Sequence, residues 1–457
     1  MKIMWKTVLC GFFCCPVVYL TTWFAPVSTQ AADVHADFSR QYDGETEQHL
    51  QLYASSAVLM DGVSGRILYG KNENQVMPMA STTKVMTAIV ILEELKGNLE
   101  GEVAVSNYAA SMPKVKLYIK KGEKYKARDL MYSLMLESHN DSAVALAEHV
   151  GKEYIPELKG REASEFTTEE SKMAVEAFAR LMNRKAAWLG CDHTYFITPN
   201  GLDAQEDLSL LSGKTITQTH STTAVELARI FSYCILRSPY REEFLKITRT
   251  ERYTFSSLHP GNRNFSCTNH NTFLHMMPGA LSGKTGFTNQ AGYCYVGALE
   301  SEGRTFVVAL LACGWPSHKN YKWSDTKQLM KYGLETYTYR DFSDEKTAYP
   351  EGRLPLLEVE GGERKVLGEV ATVPLAIHRE AYEGVPGILM KEKESVRVQC
   401  YLPRQIKAPV LEGTIVGGVV YSVDGNTYKK EYIYATKSIE KISFRWCIRQ
   451  VWERYAR

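Results

Sequence analysis

The 457-residue chain has no CxxC pair and no HExxH, and its eleven histidines show no metal-ligand spacing. A metal enzyme is therefore not expected, and no cofactor is implied. The chain also lacks an excess of either charge: 54 Lys and Arg stand against 52 Asp and Glu, a formal net charge of +2. No long block of like charge appears in its middle, so nothing in the balance argues for nucleic acid as a partner. Cysteine is scarce and irregular. Cys10, Cys14 and Cys15 sit in the first thirty residues, and the rest, Cys191, Cys234, Cys267, Cys294, Cys313, Cys400 and Cys447, are odd in number and scattered. Such a set is not a disulfide framework, although one bridged pair stays open. Internal repeats and low-complexity tracts are absent too.

What is present begins with length: a chain of this size, 44% apolar and 23% charged, suits two or three domains and a sizeable core. Lys2 and Lys6 flank the start of an apolar run, "TVLCGFFCCPVVYLTTWFAP", and "STQA" ends in small residues at Ala31. This reads as a signal peptide over 1–31, followed by a polar lead-in over 32–50. The alternative is an uncleaved anchor, since the run is near the ~18 residues that span a bilayer. Either way the remaining chain is sent outside the cytoplasm.

Two short apolar runs around "DGVSG" predict a hairpin. "KARDLMYSLMLESHNDSAVALAEHV" reads as helix, turn, helix, with the break at Ser138–Asn140. From Gly151 to Arg229 the pattern is mostly helical with polar interruptions. "AGYCYVGALE" and "RTFVVALLACG" predict paired strands, and a helix around "SDTKQLMKYGLETY" closes a catalytic domain assigned to 51–345. Beyond Pro350 helical period disappears, and "VRVQCYL" alternates. Asp424–Gly425 separates two strand-like runs, so 350–436 is expected to be a small all-β, sandwich-like domain.

In "MASTTKVMTA" a lysine stands one turn after a serine, at the mouth of a segment apolar on nearly every side. Such a helix is buried, and it carries Lys84 toward the interior, where an ammonium is costly. A spacing of three puts Ser81 and Lys84 on one helix face. If burial lowers its pKa, the neutral amine can take the proton of Ser81 as the hydroxyl attacks a carbonyl. Backbone N–H groups at the helix start suit an oxyanion. Ser138–His139–Asn140 offers a hydroxyl for proton relay and an amide for a substrate backbone. Lys284–Thr285–Gly286 offers a cation and a hydroxyl for a carboxylate, with Gly286 admitting close backbone approach. Each motif alone is commonplace, as an N-cap with a surface lysine or as turn chemistry. The trio in this order is the pattern of penicillin-recognising serine enzymes.

The chain resembles the D-alanyl-D-alanine carboxypeptidases, the low-molecular-mass penicillin-binding proteins of bacterial cell walls. The resemblance runs from about Ala54 to Phe342 and includes "ASTTKVMTA", "TPNGLDA", "HSTTAVELA" and "KTGFTNQAGYCYVGA". It implies an α/β (α+β) catalytic domain of the serine β-lactamase/transpeptidase type, antiparallel sheet plus helices. It also implies Ser81 as nucleophile, Lys84 as proton acceptor, Ser138 as relay and Asn140 as substrate contact. Lys284 and Thr285 would hold the terminal carboxylate of D-Ala-D-Ala stem peptides, with the N–H groups of Ser81 and Phe287 as oxyanion hole. β-Lactams are the implied covalent inhibitors. His139 departs from the family pattern and is expected to line the groove. "GALSG" before Lys284, and extra polar stretches near Glu162–Ser171 and Ala204–Thr219, depart too. A class A β-lactamase is the rival, but no Glu-x-x-Leu-Asn run lies between Asn140 and Lys284 to activate a deacylating water. A non-catalytic wall-binding protein of the same fold is the other alternative.

The tail, 437–457, reads as a cationic amphipathic helix. Phe444, Ile448, Val451, Trp452 and Tyr455 share one side, while Lys437, Lys441, Arg445 and Arg449 form a basic stripe. That composition suits an anionic membrane surface.

Overall fold

The apolar runs flanking "DGVSG" pair as expected in the computed structural model, which describes residues 50–209, 215–258, 261–364, 366 and 368–455. The signal segment expected at 1–31 and nearly all of the lead-in lie outside the described residues. The hairpin strands are β1 (Ser56–Asp61) and β2 (Ile67–Lys71). With β3 (Ala280–Thr288), β4 (Gly292–Ser301) and β5 (Arg304–Leu311) they form an antiparallel five-stranded sheet, ordered β3-β4-β5-β1-β2. Its central strands have no wet face. Period two sends Val58, Met60, Val307 and Ala309 into one core and Ala57, Leu59, Phe306 and Val308 into another.

The first core is built by α1 (Lys84–Glu94), α2 (Ala127–Tyr132), α3 (Asn140–Gly151), α4 (Thr168–Trp188) and α5 (Ala224–Ser232). The second is covered by α6 (Tyr321–Thr336). Residues Lys84 to Leu92 of α1 are all buried, although the run "TAIVI" is rich in poor helix formers. Packing on every side, not propensity, keeps it helical. α4 starts at a capping box in which Thr167 and Glu170 satisfy each other's backbone N–H groups. The mostly helical reading of Gly151–Arg229 needs one correction. Gln205–Ser209 and Thr215–Thr219 pair as a largely exposed hairpin. With no apolar face to bury, "QEDLS" and "TITQT" carry no helical period.

After Pro350 the chain is all-β until its tail, as expected. β6 (Leu375–Gly384), β7 (Arg397–Tyr401), β8 (Ile415–Val423) and β9 (Asn426–Ala435) form a sheet ordered β6-β9-β8-β7. Asp424 and Gly425 turn between β8 and β9 with φ of 50° and 77°, the left-handed pair that a tight hairpin demands. Arg66, from the β1–β2 turn, reaches into this domain. Its guanidinium holds Glu394 at 2.6 Å, Asp424 at 2.9 Å and the Leu389 carbonyl at 2.8 Å.

The tail also departs from expectation. Lys437–Ser443 is not helical: Ile439 bridges to Val410 and Lys441 to Gly362, on the β-domain. Ser443 then accepts from the Trp446 N–H, and the helix is α7 (Phe444–Tyr455). Lys437 and Lys441 therefore leave the basic stripe. Phe444, Ile448, Val451, Trp452 and Tyr455 are all exposed, and Trp446 alone in the helix is buried. Among the described residues no helix is long and apolar enough to cross a membrane.

Candidate active site

Ser81 lies in a tight turn, Ala80–Thr83, that feeds directly into α1. Ala80 has φ +47°, a left-handed conformation that costs an alanine of order 1–3 kcal/mol. Its surroundings enforce it. The Thr83 hydroxyl donates to the Ala80 carbonyl at 2.7 Å. Gly201 presses on the same carbonyl, so closely that a Cβ there would stand 2.1 Å from the oxygen. Ser81 and Lys84 are thus neighbours across one turn, as the spacing predicts, with Ser81 before the α-helix and Lys84 its first residue.

Lys84 is fully buried. Its Nζ stands 2.9 Å from Ser81 Oγ, 3.0 Å from Asn140 Oδ1 and 2.5 Å from the Asn200 carbonyl. No carboxylate pairs with it among the described residues. Burial pushes its pKa well below the usual lysine value, the Lys284 charge pushes the same way, and Asp141 opposes both. Asp141 itself is occupied by the N–H groups of Leu117 and Ile119.

Lys284, on β3, is the second buried cation. Its Nζ bonds Ser138 Oγ at 3.0 Å and the Thr285 carbonyl at 2.9 Å, and burial brings its pKa down to about 7. Ser138 ends the wide turn between α2 and α3 in a left-handed conformation, φ +65°. The structure therefore joins Ser138 to Lys284, whereas Asn140 is the residue that touches Lys84. The other end of the Asn140 amide donates to the Pro113 carbonyl at 3.3 Å. His139 does not line the groove, contrary to expectation. It is buried, with Nδ1 2.8 Å from Ser133 Oγ, because its extended backbone aims the ring inward.

Gly286 spends its missing side chain inside the protein. A Cβ would stand 2.9 Å from the nitrogens of both Ser81 and Thr82, so glycine lets β3 close onto the Ser81 turn. β3 is an edge strand. Opposite Phe287, Tyr293 gives its N–H to Gly314 and its carbonyl to the Cys313 N–H. In an antiparallel ladder this leaves the N–H and carbonyl of Phe287 pointing off the sheet edge. The Phe287 N–H thus lies on the free edge of β3, one residue beyond the glycine that packs on the Ser81 turn, and Thr285 sits half-buried two residues back on the same edge.

Three participants escaped the sequence reading. The Asn200 carbonyl holds Lys84, the Thr83 hydroxyl holds the Ala80 turn, and His220 holds Thr83, with Nε2 2.7 Å from Oγ1. The Asn200–Gly201 dipeptide is a turn signal that marks the first. The seven cysteines at and beyond Cys191 are free, which closes the open disulfide question.

Comparison with known proteins identifies the family and the fold. Residues 43–155 and 169–312 match the family described as D-alanyl-D-alanine carboxypeptidase, and 358–441 match the C-terminal domain of penicillin-binding protein 5. The unmatched gap overlaps the extra polar stretch near Glu162. The chain is 25% identical over 412 residues to D-alanyl-D-alanine carboxypeptidase DacF of Bacillus subtilis (strain 168), covering 89% of this chain and 91% of that one. It is 33% identical over 258 residues to DacB2 of Mycobacterium tuberculosis, covering 56% and 74%. In fold it is similar to penicillin-binding protein 5 from Haemophilus influenzae, with a TM-score of 0.62 at 22% identity over 87% of this chain and 100% of that one.

Proposed function

The chain belongs to the D-alanyl-D-alanine carboxypeptidases, and we propose that it removes the terminal D-alanine of peptidoglycan stem peptides through an acyl-enzyme on Ser81. The observation that carries the assignment is the buried amine of Lys84, without a carboxylate partner among the described residues, 2.9 Å from the Ser81 hydroxyl. In its neutral form it accepts the Ser81 proton as Oγ attacks the carbonyl of the penultimate D-Ala. The charge that develops on the carbonyl oxygen faces the N–H groups of Ser81 and Phe287. Collapse breaks the peptide bond, the departing D-Ala amine takes the proton back, and water then hydrolyses the ester. Lys284 and Thr285 bind the terminal carboxylate. Ser138, on Lys284, links that cation to the departing amine. Asn140 keeps Lys84 aimed at Ser81.

A β-lactam follows the same first step, but its leaving amine stays tethered. With no Glu-x-x-Leu-Asn run to activate water, the penicilloyl ester is expected to persist for many minutes. Ser81→Ala is expected to abolish both covalent labelling by a fluorescent penicillin and D-Ala release. Labelling at the parent rate would overturn the nucleophile assignment, and rapid nitrocefin turnover by the parent would favour a β-lactamase.

A cell-wall substrate places the action outside the cytoplasm, in keeping with the signal segment read at 1–31. The second reading concerns α7. Its five exposed apolar side chains and its arginines suit insertion into the headgroup region of an anionic membrane, which would hold the β-domain between bilayer and active site. Cutting after Ser443 preserves the Ile439 and Lys441 bridges. It is expected to release the mature protein from anionic vesicles while penicillin acylation stays at the parent rate. Equal vesicle binding by the cut and uncut forms would rule the anchor out.

A further inference from the structure

His220 is an odd occupant for its seat. It is fully buried, edge-on to Phe196 with ring centroids 5.9 Å apart, and touches neither Ser81 nor Lys84. Its hydrogen bonds nevertheless define its protonation. Nδ1 faces two backbone N–H groups, those of Ile197 at 3.0 Å and Thr198 at 3.3 Å. A backbone N–H only donates, so Nδ1 is the acceptor and the neutral ring carries its hydrogen on Nε2. That hydrogen goes to Thr83 Oγ1 at 2.7 Å, and the Thr83 hydrogen goes on to the Ala80 carbonyl at 2.7 Å. Burial and the nearby Lys84 charge push the imidazole pKa down to about 3, so the ring stays neutral.

The chain ends on one particular peptide. The Ala80 carbonyl and the Ser81 N–H are opposite ends of the same planar amide. We propose that His220 is a positioning residue which, through Thr83, holds and polarises the Ala80–Ser81 amide so that its N–H serves the oxyanion hole. This rests on the reading of Ser81 as the nucleophile. Two physical points support it. This amide hangs on a left-handed alanine, and turning its plane, which changes ψ of Ala80 and φ of Ser81, would swing the Ser81 N–H out of the hole. Something must hold it. Hydrogen bonds in series also polarise one another, and an amide whose carbonyl already accepts is a better donor at its N–H.

The two halves of the imidazole can be tested separately. His220→Asn offers an acceptor to Ile197 and Thr198 but loses the donor to Thr83; His220→Gln offers the donor; Thr83→Val keeps the ring and removes the relay. The readouts are the penicillin acylation rate, the affinity for a boronic acid that mimics the tetrahedral adduct, and the acid limb of the pH–rate profile. His220→Asn and Thr83→Val are expected to acylate about tenfold to hundredfold more slowly and to bind the boronate more weakly by a similar factor. KM for a stem peptide and the acid limb should hardly move, and His220→Gln should recover most of the loss. Parent-like acylation and boronate binding in both His220→Asn and Thr83→Val would overturn the proposal. So would a loss confined to a shifted acid limb, which would assign His220 to Lys84 instead. A parent protein that forms no acyl-enzyme would instead break the underlying assignment of Ser81.

Discussion

The catalytic domain and the β-domain both bury lysines, and they do so in opposite ways. In the β-domain, Lys429 stands 2.8 Å from Glu431, both almost wholly inaccessible. Glu431 also accepts from the Tyr421 hydroxyl at 2.7 Å. In the catalytic domain Lys84 and Lys284 are as deeply buried but, among the described residues, touch only neutral oxygens. Pairing lets a buried charge persist, whereas isolation drives the amine toward its neutral form. The first arrangement suits a fixed framework. The second favours the neutral amine, the form in which Lys84 can take a proton from a serine hydroxyl.

The largest test of this contrast is Lys84→Met, which keeps an unbranched apolar chain and deletes the amine. Acylation should fall by about 10²–10⁴-fold, the usual worth of a general base, while a cooperative melt shows that the fold persists. Acylation near the parent rate would break the comparison at its most important point. Next comes Lys429→Met, which breaks the buried pair and leaves Glu431 only Arg379 at 3.7 Å and the Tyr421 hydroxyl. Urea unfolding should report a loss of about 3–5 kcal/mol, with an unchanged acylation rate in the folded fraction. Adding Glu431→Gln should return part of the stability.

The smallest effect is a slope. The folded pKa of Lys284 is about 7, below that of a lysine in the unfolded chain. Between the two values the unfolded chain holds a proton that the folded chain has released, so raising the pH through about 7 favours folding. Against Lys284→Met, the parent should gain up to about 1.4 kcal/mol per pH unit, measured by urea unfolding from pH 6.5 to 8.5. A pH-independent difference would mean that Lys284 stays charged in its pocket.

Much of this was legible in the chain. Ser81, Lys84, Ser138 and Lys284 are side chains whose types and order point to their proposed chemistry, and the apolar runs of β1, β4 and β5 announce the sheet. The illegible parts are contributions from backbone and from distant partners. The Asn200 carbonyl has no side-chain signature, and nothing near His220 in the sequence points to Thr83, 137 positions away. Gly286 was read as room for substrate because its packing against Ser81 depends on how β3 docks. The tail misled for a related reason. Lys437–Ser443 has a helical charge pattern, but strand partners at Val410 and Gly362 compete for its backbone and win.

The edge formed by Ser81 and Phe287 has a pharmacological consequence. Its two donors are main-chain amides, which among codon changes only one to proline removes. In the proposed mechanism a stem peptide and a β-lactam would present their reacting carbonyl to the same pair, so a mutation would not discard the drug's anchor and retain the substrate's. Other point changes act here through the supports that shape the turn, such as Ala80, Thr83, Gly201 and Gly286, and displacing those amides is expected to slow both reactions together. Escape by substitution within this hole therefore carries its own fitness cost, and side chains at the groove rim are the places where drug and substrate can still be told apart.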